Sequence, residues 1–222
     1  MERLFSPDNP VIRFLGRVCD LMILSVLFIL SCMLLVPSGA AMTALYTMTL
    51  KMVRNEEGET IKGYFTALRN SFLSSAPGAA LLFLEGGLIF VIVYALYAGV
   101  LLFSPRVFIF LCIVTLVLTS WLSWLFPLQA RFENHFSGHC RNAAALSLTQ
   151  LSVTCFMTLV NLLPMLSVLL FPNRVGELIT FWILFGFGGC AFVNSFYLRR
   201  VFDRVEDVSA NNDSKLEEER KK

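Results

Sequence analysis

The chain has 222 residues, of which 56% are hydrophobic and only 15% charged, with 21 phenylalanines and a mean hydropathy of +0.70. Soluble domains carry ~25% charged residues, so this chain cannot cover a core of its own size with polar surface. That excludes a soluble enzyme and leaves apolar surface to face lipid. The formal net charge of +2 is small, and no dense Lys/Arg stretch is interleaved with aromatics, so there is no footprint for nucleic acid.

Charged residues divide the chain. Asp20 and Lys51 enclose 30 uncharged residues, Glu85 and Arg106 enclose 20, Arg106 and Arg131 enclose 24, Arg141 and Arg174 enclose 32, and Glu177 and Arg199 enclose 21. A helix rising ~1.5 Å per residue needs roughly 20 residues to cross a ~30 Å hydrocarbon layer. The continuous apolar runs therefore predict an all-α, polytopic membrane bundle; a β-barrel would show ~10-residue alternating segments instead.

The first segment covers residues 18–36, where Pro37-Ser38-Gly39-Ala40-Ala41 interrupts it, and Met42 to Val53 is apolar again. Either this is one crossing, giving five helices, or the chain turns at Pro37-Ser38-Gly39 and returns as a short sixth helix. Of the 14 Lys and Arg residues up to Arg204, the hairpin gathers 12 on one side against two, and the positive-inside rule favours it, with both termini cytoplasmic. The Ser38-Gly39-Ala40 pattern also fits a signal-peptide cleavage site, but the apolar region is long for one.

Between the first and second segments, Ile61, Tyr64, Phe65, Leu68 and Phe72 recur at helical spacing with Lys62 and Arg69 off that face. This predicts an amphipathic helix at about residues 55–72, on the inner membrane surface or docked beneath the bundle. The second span runs from Pro77 to Gly99 and places Glu85 inside the membrane. The third runs from Val107 to Leu128. The fourth is placed at Leu146 to Leu163, ended by Pro164, with a turn at Phe171-Pro172-Asn173-Arg174. The fifth runs from Leu178 to Leu198. Residues 1–202 thus read as one membrane domain, and residues 203–222 as a hydrophilic tail, disordered or a frayed helix in water.

An acidic group at mid-membrane is costly, roughly 2.5–3.5 kcal/mol for Asp on insertion scales, unless it is protonated, paired or hydrated. Glu85 is therefore the sharpest candidate for a polar site, with Asn161, Asn194 and Gln129 as its candidate partners. The alternative is a purely structural pair. Gly86 and Gly87 beside it, Gly186, Gly188 and Gly189 in the last span, and Gly39-Ala40-Ala41 offer close helix approach. His135 and His139 stand at i, i+4, a spacing that suits a metal on a helix, yet no H-E-x-x-H pattern accompanies them and interfacial histidines account for the pair. Cys19, Cys32, Cys112, Cys140, Cys155 and Cys190 are scattered, without a Cys-x-x-Cys, as buried small hydrophobes. No Walker, Rossmann or nucleophile-elbow pattern is present. The expectation is a non-enzyme with neither metal nor cofactor.

Several stretches resemble a known family. Asp20 leading into Pro37-Ser38-Gly39-Ala40-Ala41-Met42-Thr43-Ala44-Leu45-Tyr46, then Lys51-Met52-Val53-Arg54-Asn55-Glu56-Glu57-Gly58 and Tyr64-Phe65-Thr66-Ala67-Leu68-Arg69-Asn70-Ser71-Phe72, is similar to the YesL family of bacterial integral membrane proteins. Pro127-Leu128-Gln129-Ala130-Arg131-Phe132-Glu133-Asn134 and Arg141-Asn142-Ala143 resemble that family's central cytoplasmic loop. The chain departs from the family at Ser25 to Ile29, where Asn, Leu and Trp are common. The resemblance implies a multi-pass protein of the cytoplasmic membrane, of unknown biochemical function, near carbohydrate uptake by ABC transporters, whose subunits become expected partners beside the lipid bilayer. On that reading Tyr64, Phe65, Arg69 and Arg131 offer a cytoplasmic surface to a partner or to anionic headgroups. The competing readings are a membrane regulator or assembly factor without a transport path, and an intramembrane enzyme using Glu85 or the two histidines.

Overall fold

A computed structural model describes residues 10–34, 38–56, 58–98 and 104–220. Arg3, Pro37, Glu57, Gly99, Lys221 and Lys222, which entered the expectations above, lie outside them. The described residues are helical, without strands: α1 Pro10–Met33, α2 Ser38–Val53, α3 Thr60–Ser71, α4 Ala76–Ala98, α5 Pro105–Arg131, α6 Phe136–Thr149, α7 Leu151–Leu170, a 3-10 turn at Pro172–Arg174, α8 Val175–Phe181, a π-helical turn at Trp182–Gly186, and α9 Phe187–Arg220. Five stretches, Ile12–Met33, Ala76–Tyr97, Pro105–Arg131, Leu151–Leu170 and Pro172–Glu206, are long and apolar enough to cross a membrane. The protein is a multi-pass helical membrane protein, with Phe90, Tyr97 and Phe110 among the large apolar side chains left outward for lipid.

The interrupted first segment is two helices. At one end, Asn55, just past α2, accepts a hydrogen bond from the Arg17 guanidinium of α1, so α2 doubles back along α1. Asn55 adopts a left-handed φ of 59°, and the Glu56 N–H closes α2 onto the Lys51 carbonyl at 3.0 Å, an end that Asn tolerates better than other non-glycine residues. At 16 residues α2 is shorter than the spans, and 12 of those residues are buried. Its Gly39, Ala40, Ala41 and Ala44 let neighbouring helices close in. A Cβ on Gly39 would collide with the Ser75 carbonyl oxygen and lie 2.8 Å from the Ala79 nitrogen. Small residues substitute here for the hydrophobic drive that is absent between helices in lipid.

α3 runs back along α2, with Gly63 against the Met48 side chain, and is tied to α1 by Thr60 Oγ1 donating to Asp20 Oδ1 at 2.8 Å. The core around α2 is completed by Trp124, Leu125 and Phe126 of α5, Met157 of α7, and Leu198 and Phe202 of α9, all but excluded from solvent. A polar cluster at one end of the bundle joins α2, α5 and α9. Arg54 pairs with Asp203 at 3.5 Å and Arg131 with Glu206 at 2.8 Å, while the Arg199 guanidinium donates to the Val53 carbonyl at 2.9 Å.

Two boundaries differ from expectation. Pro164 lies inside α7 and does not end it, while residues 146–149 belong to α6, the chain breaking at Gln150. A proline removes the N–H that would bond the carbonyl four residues back. Here that carbonyl belongs to Val160, and it accepts the Cys190 thiol of α9 at 3.7 Å, so the helix continues with a neighbour's weak donor in place of its own. At the C-terminus, the α9 backbone is helical to Arg220, over the stretch expected to be either disordered or a frayed helix.

Candidate functional site

α2, α4, α5, α7 and α9 line a partly open cavity of about 190 Å³ whose wall is mostly apolar but includes Glu85, Tyr46, Thr119, Ser123 and Asn161. Water's share of liquid volume is ~30 Å³, so several waters or one small molecule fit. Glu85 reaches this wall because helical neighbours are ~100° apart: the carboxylate of α4 turns inward, half-buried, while Gly86 and Gly87 are exposed. The close helix contact expected at these two glycines is absent, with nothing within 4 Å of a Cβ at either. Tight approach occurs at Gly39 instead, and at Gly188, where a Cβ would stand 2.5 Å from the Leu21 carbonyl oxygen.

Polar side chains continue around the cavity from Glu85. Thr119 lines the cavity with it and donates its hydroxyl hydrogen to the Thr115 carbonyl at 2.9 Å. Ser123 donates to the Thr119 carbonyl at 2.6 Å and accepts from Asn161 Nδ2 at 2.8 Å. Asn194 Nδ2 donates to Asn161 Oδ1 at 2.9 Å and to the Tyr46 hydroxyl at 3.2 Å. Asn194 is fully buried, yet its Oδ1 has no hydrogen-bond partner. Such an orphan costs about 1–3 kcal/mol, so a helical protein keeps one where something else meets it.

Asn161 and Asn194, expected as partners of Glu85, thus join a hydrogen-bonded chain that passes along the cavity Glu85 lines. Gln129 belongs elsewhere: its Oε1 accepts from Thr43 at 3.2 Å and from Ser75 at 3.0 Å. The members that sequence reasoning missed are Tyr46, Thr119 and Ser123. The spacing of Thr115, Thr119 and Ser123 at i, i+4, i+8 put three hydroxyls on one face of α5 and was the available signal.

The other candidate groups are dispersed. Tyr64, read above as part of a partner surface, is instead a core residue, fully buried and donating to Ser31 Oγ at 3.2 Å. Burial pushes the Tyr64 phenol up to about 12, partly offset by that bond. Phe65 is 51% exposed and Arg69 is exposed, whereas Arg131 makes a two-pronged bond to Glu206 at 2.9 and 3.0 Å. His135 is exposed just before α6, but His139 is buried within it. Burial holds the His139 imidazole below its ordinary 6.5, against a smaller upward effect of a backbone hydrogen bond at Asn134. Among the described residues no group of three or more His, Cys, Asp or Glu could hold a metal ion.

Residues 21–98, covering α2, α3, α4 and the second half of α1, match a family model described as a protein of unknown function, DUF624. No curated protein and no solved structure matches the chain.

Proposed function

We propose that the chain is a YesL-type protein of the bacterial cytoplasmic membrane, without enzymatic activity, acting as an accessory or permease-like component of carbohydrate uptake beside ABC transporter subunits. The observation that carries this reading is the hydrogen-bonded chain from Ser123 through Asn161 and Asn194 to Tyr46, beside a cavity that Glu85 also lines, inside a lipid-facing bundle. Polar groups at this depth are expensive, and where they converge on a cavity they mark substrate or ion pathways. Amide and hydroxyl groups with one carboxylate suit a small, hydroxyl-rich ligand, which both donates and accepts hydrogen bonds. The same groups contain no nucleophile–base pair or paired carboxylates with which to do covalent chemistry.

The family match over residues 21–98 overlaps the part of the chain that carries the YesL resemblance. The orientation is supported by charge. Arg17, Arg54, Arg131 and Arg199 gather at one end of the bundle, whereas Arg106 and Arg174 begin the two helices that end there, a full span away. The positive-inside rule makes the first end cytoplasmic, and with it the C-terminus. The test is uptake of a panel of radiolabelled sugars by a deletion strain carrying wild type or Glu85→Gln. Reduced uptake of one sugar at equal membrane abundance is expected, and unchanged uptake of all of them overturns the reading. Affinity purification in mild detergent tests the partner: ABC subunits co-purify, or that part of the proposal fails.

A further inference from the structure

Helix α3 carries an outward surface that the cavity does not use. Its 12 residues extend about 18 Å, too short to cross ~30 Å of hydrocarbon. Both ends of α3 are held at one end of the bundle. Its start follows Arg54, which pairs with Asp203, and the chain beyond it reaches Ser75, which donates to Gln129, close in α5 to the Arg131 that pairs with Glu206. α3 therefore lies across the basic end of the bundle, the end that the positive-inside rule makes cytoplasmic.

Around the axis of α3, at ~100° per residue, the side chains fall into bands. Tyr64, Ala67 and Ser71 face the bundle, with Tyr64 fully buried. On one flank Ile61, Phe65 and Phe72 are exposed, within about 40° of arc. Arg69 and Lys62 come next, exposed and opposite the buried face. On the other flank Thr66 and Asn70 border a groove shared with Thr47 and Lys51 of α2. The order apolar, basic, polar is the one a helix needs at a bilayer surface: the first band enters the acyl boundary, the second sits level with the phosphates, and the third faces water. Docking to a protein in the cytosol requires no such order. Leu73, also exposed, stands just before α4 enters the membrane and fixes this end of α3 at the bilayer boundary.

The basic row has charge to offer. Among the described residues no ion pair includes Arg69, and that of Lys62 is with exposed Glu59 at 2.5 Å, a pair worth little in water.

We infer that α3 lies in the headgroup layer of the inner leaflet and binds an anionic phospholipid there. The Lys62 ammonium and Arg69 guanidinium donate to its phosphate oxygens, and Ile61, Phe65 and Phe72 pack against its acyl chains. Each basic residue near an anionic surface contributes about fivefold in affinity. The site is separate from the cavity, so neither reading depends on the other.

The test uses the full-length protein in mixed micelles, its thermal unfolding followed by tryptophan fluorescence as phosphatidylglycerol replaces phosphatidylcholine at constant total lipid. A ligand of the folded state raises the midpoint with concentration, so a saturable rise with phosphatidylglycerol is expected for wild type. Lys62→Gln combined with Arg69→Gln should need at least about tenfold more phosphatidylglycerol for the same rise. Arg106→Gln combined with Arg174→Gln, at the opposite end, should respond as wild type does. No rise in wild type, an unchanged response in the first pair, or an equal loss in the second overturns the inference. Spin labels test the apolar flank separately, at Phe65→Cys and Asn70→Cys in a background without the six native cysteines, in vesicles containing phosphatidylglycerol. Relaxation by oxygen, which concentrates in lipid, should dominate at position 65, and relaxation by a water-soluble nickel chelate at position 70. Nickel dominating at both positions would place this face in water, as a surface for a protein partner, and overturn the inference.

Discussion

Replacing Gly39 with alanine adds one methyl group at the tightest helix contact around α2. The new Cβ would collide with the Ser75 carbonyl oxygen and lie 2.8 Å from the Ala79 nitrogen and 3.3 Å from the Gly78 carbonyl carbon. All three are backbone atoms of the segment that begins α4, so relief requires whole helices to part, not one side chain to rotate. Overpacking of this kind costs about 1–3 kcal/mol. Gly86→Ala is the matched comparison, because it makes the same change within an apolar helix where nothing lies within 4 Å. Alanine is favoured over glycine inside a helix by up to ~1 kcal/mol, so that variant should equal or exceed wild type. The two substitutions are therefore expected to differ by roughly 1–4 kcal/mol, a factor of about ten for every 1.4. Unfolding of the purified protein in mixed micelles of rising SDS fraction, read by tryptophan fluorescence, measures the difference. Equal stability of the two variants, or a Gly86→Ala less stable than Gly39→Ala, would refute the packing argument.

Acidification gives a second expectation. Because burial lowers the His139 pKa in the folded protein, the unfolded chain binds the extra proton first. Stability is then full above about 6.5 and falls as pH drops below it towards the folded pKa. Thermal midpoints of wild type and His139→Gln from neutral pH to mildly acid should show a steeper decline for wild type; parallel curves would rule out His139 as the source. Tyr64→Phe loses the bond to Ser31 at a cost of about 0.5–1.5 kcal/mol, visible as a lower unfolding midpoint, while a solvent-facing Tyr64 would show no change. Tyr46→Phe deprives one Asn194 amide hydrogen of its acceptor and should destabilise by about 1–3 kcal/mol, and a wild-type midpoint would show that this hydrogen finds another acceptor.

Spans were legible because lipid imposes a single rule, a long run without charge. Arg106, Arg131 and Arg174 therefore marked helix limits or their neighbourhoods from sequence alone, whereas α1 begins at Pro10, well before Asp20 and the expected start at residue 18. Pro164 misled for a physical reason: the rule that proline ends a helix assumes water as the alternative, and the Val160 carbonyl it frees is met by Cys190, 30 residues on. α2 was ambiguous because its length and small residues describe both a span and a helix sheltered by others, and only its contacts with Ser75, Arg17 and α9 distinguish them. Tyr64 sat among Ile61, Phe65 and Phe72 on what looked like one outward apolar face, but that face is divided, with Tyr64 turned to α1 and Phe65 left outside. At the site, Glu85, Asn161 and Asn194 were conspicuous as polar residues in apolar runs. Tyr46, Thr119 and Ser123 were not, since hydroxyl side chains in membrane helices ordinarily bond their own backbone and carry no signal of a cavity.

Glu85 faces the cavity between the helices and not lipid. The most direct measurement of this placement is the reaction of Glu85→Cys, in a background without the six native cysteines, with a small water-soluble thiol reagent in intact membranes, beside Phe90→Cys on the outward face of the same helix. Labelling is expected at position 85 and none at position 90. An unreactive position 85 in a protein that still purifies as folded, or equal labelling at both positions, would contradict it.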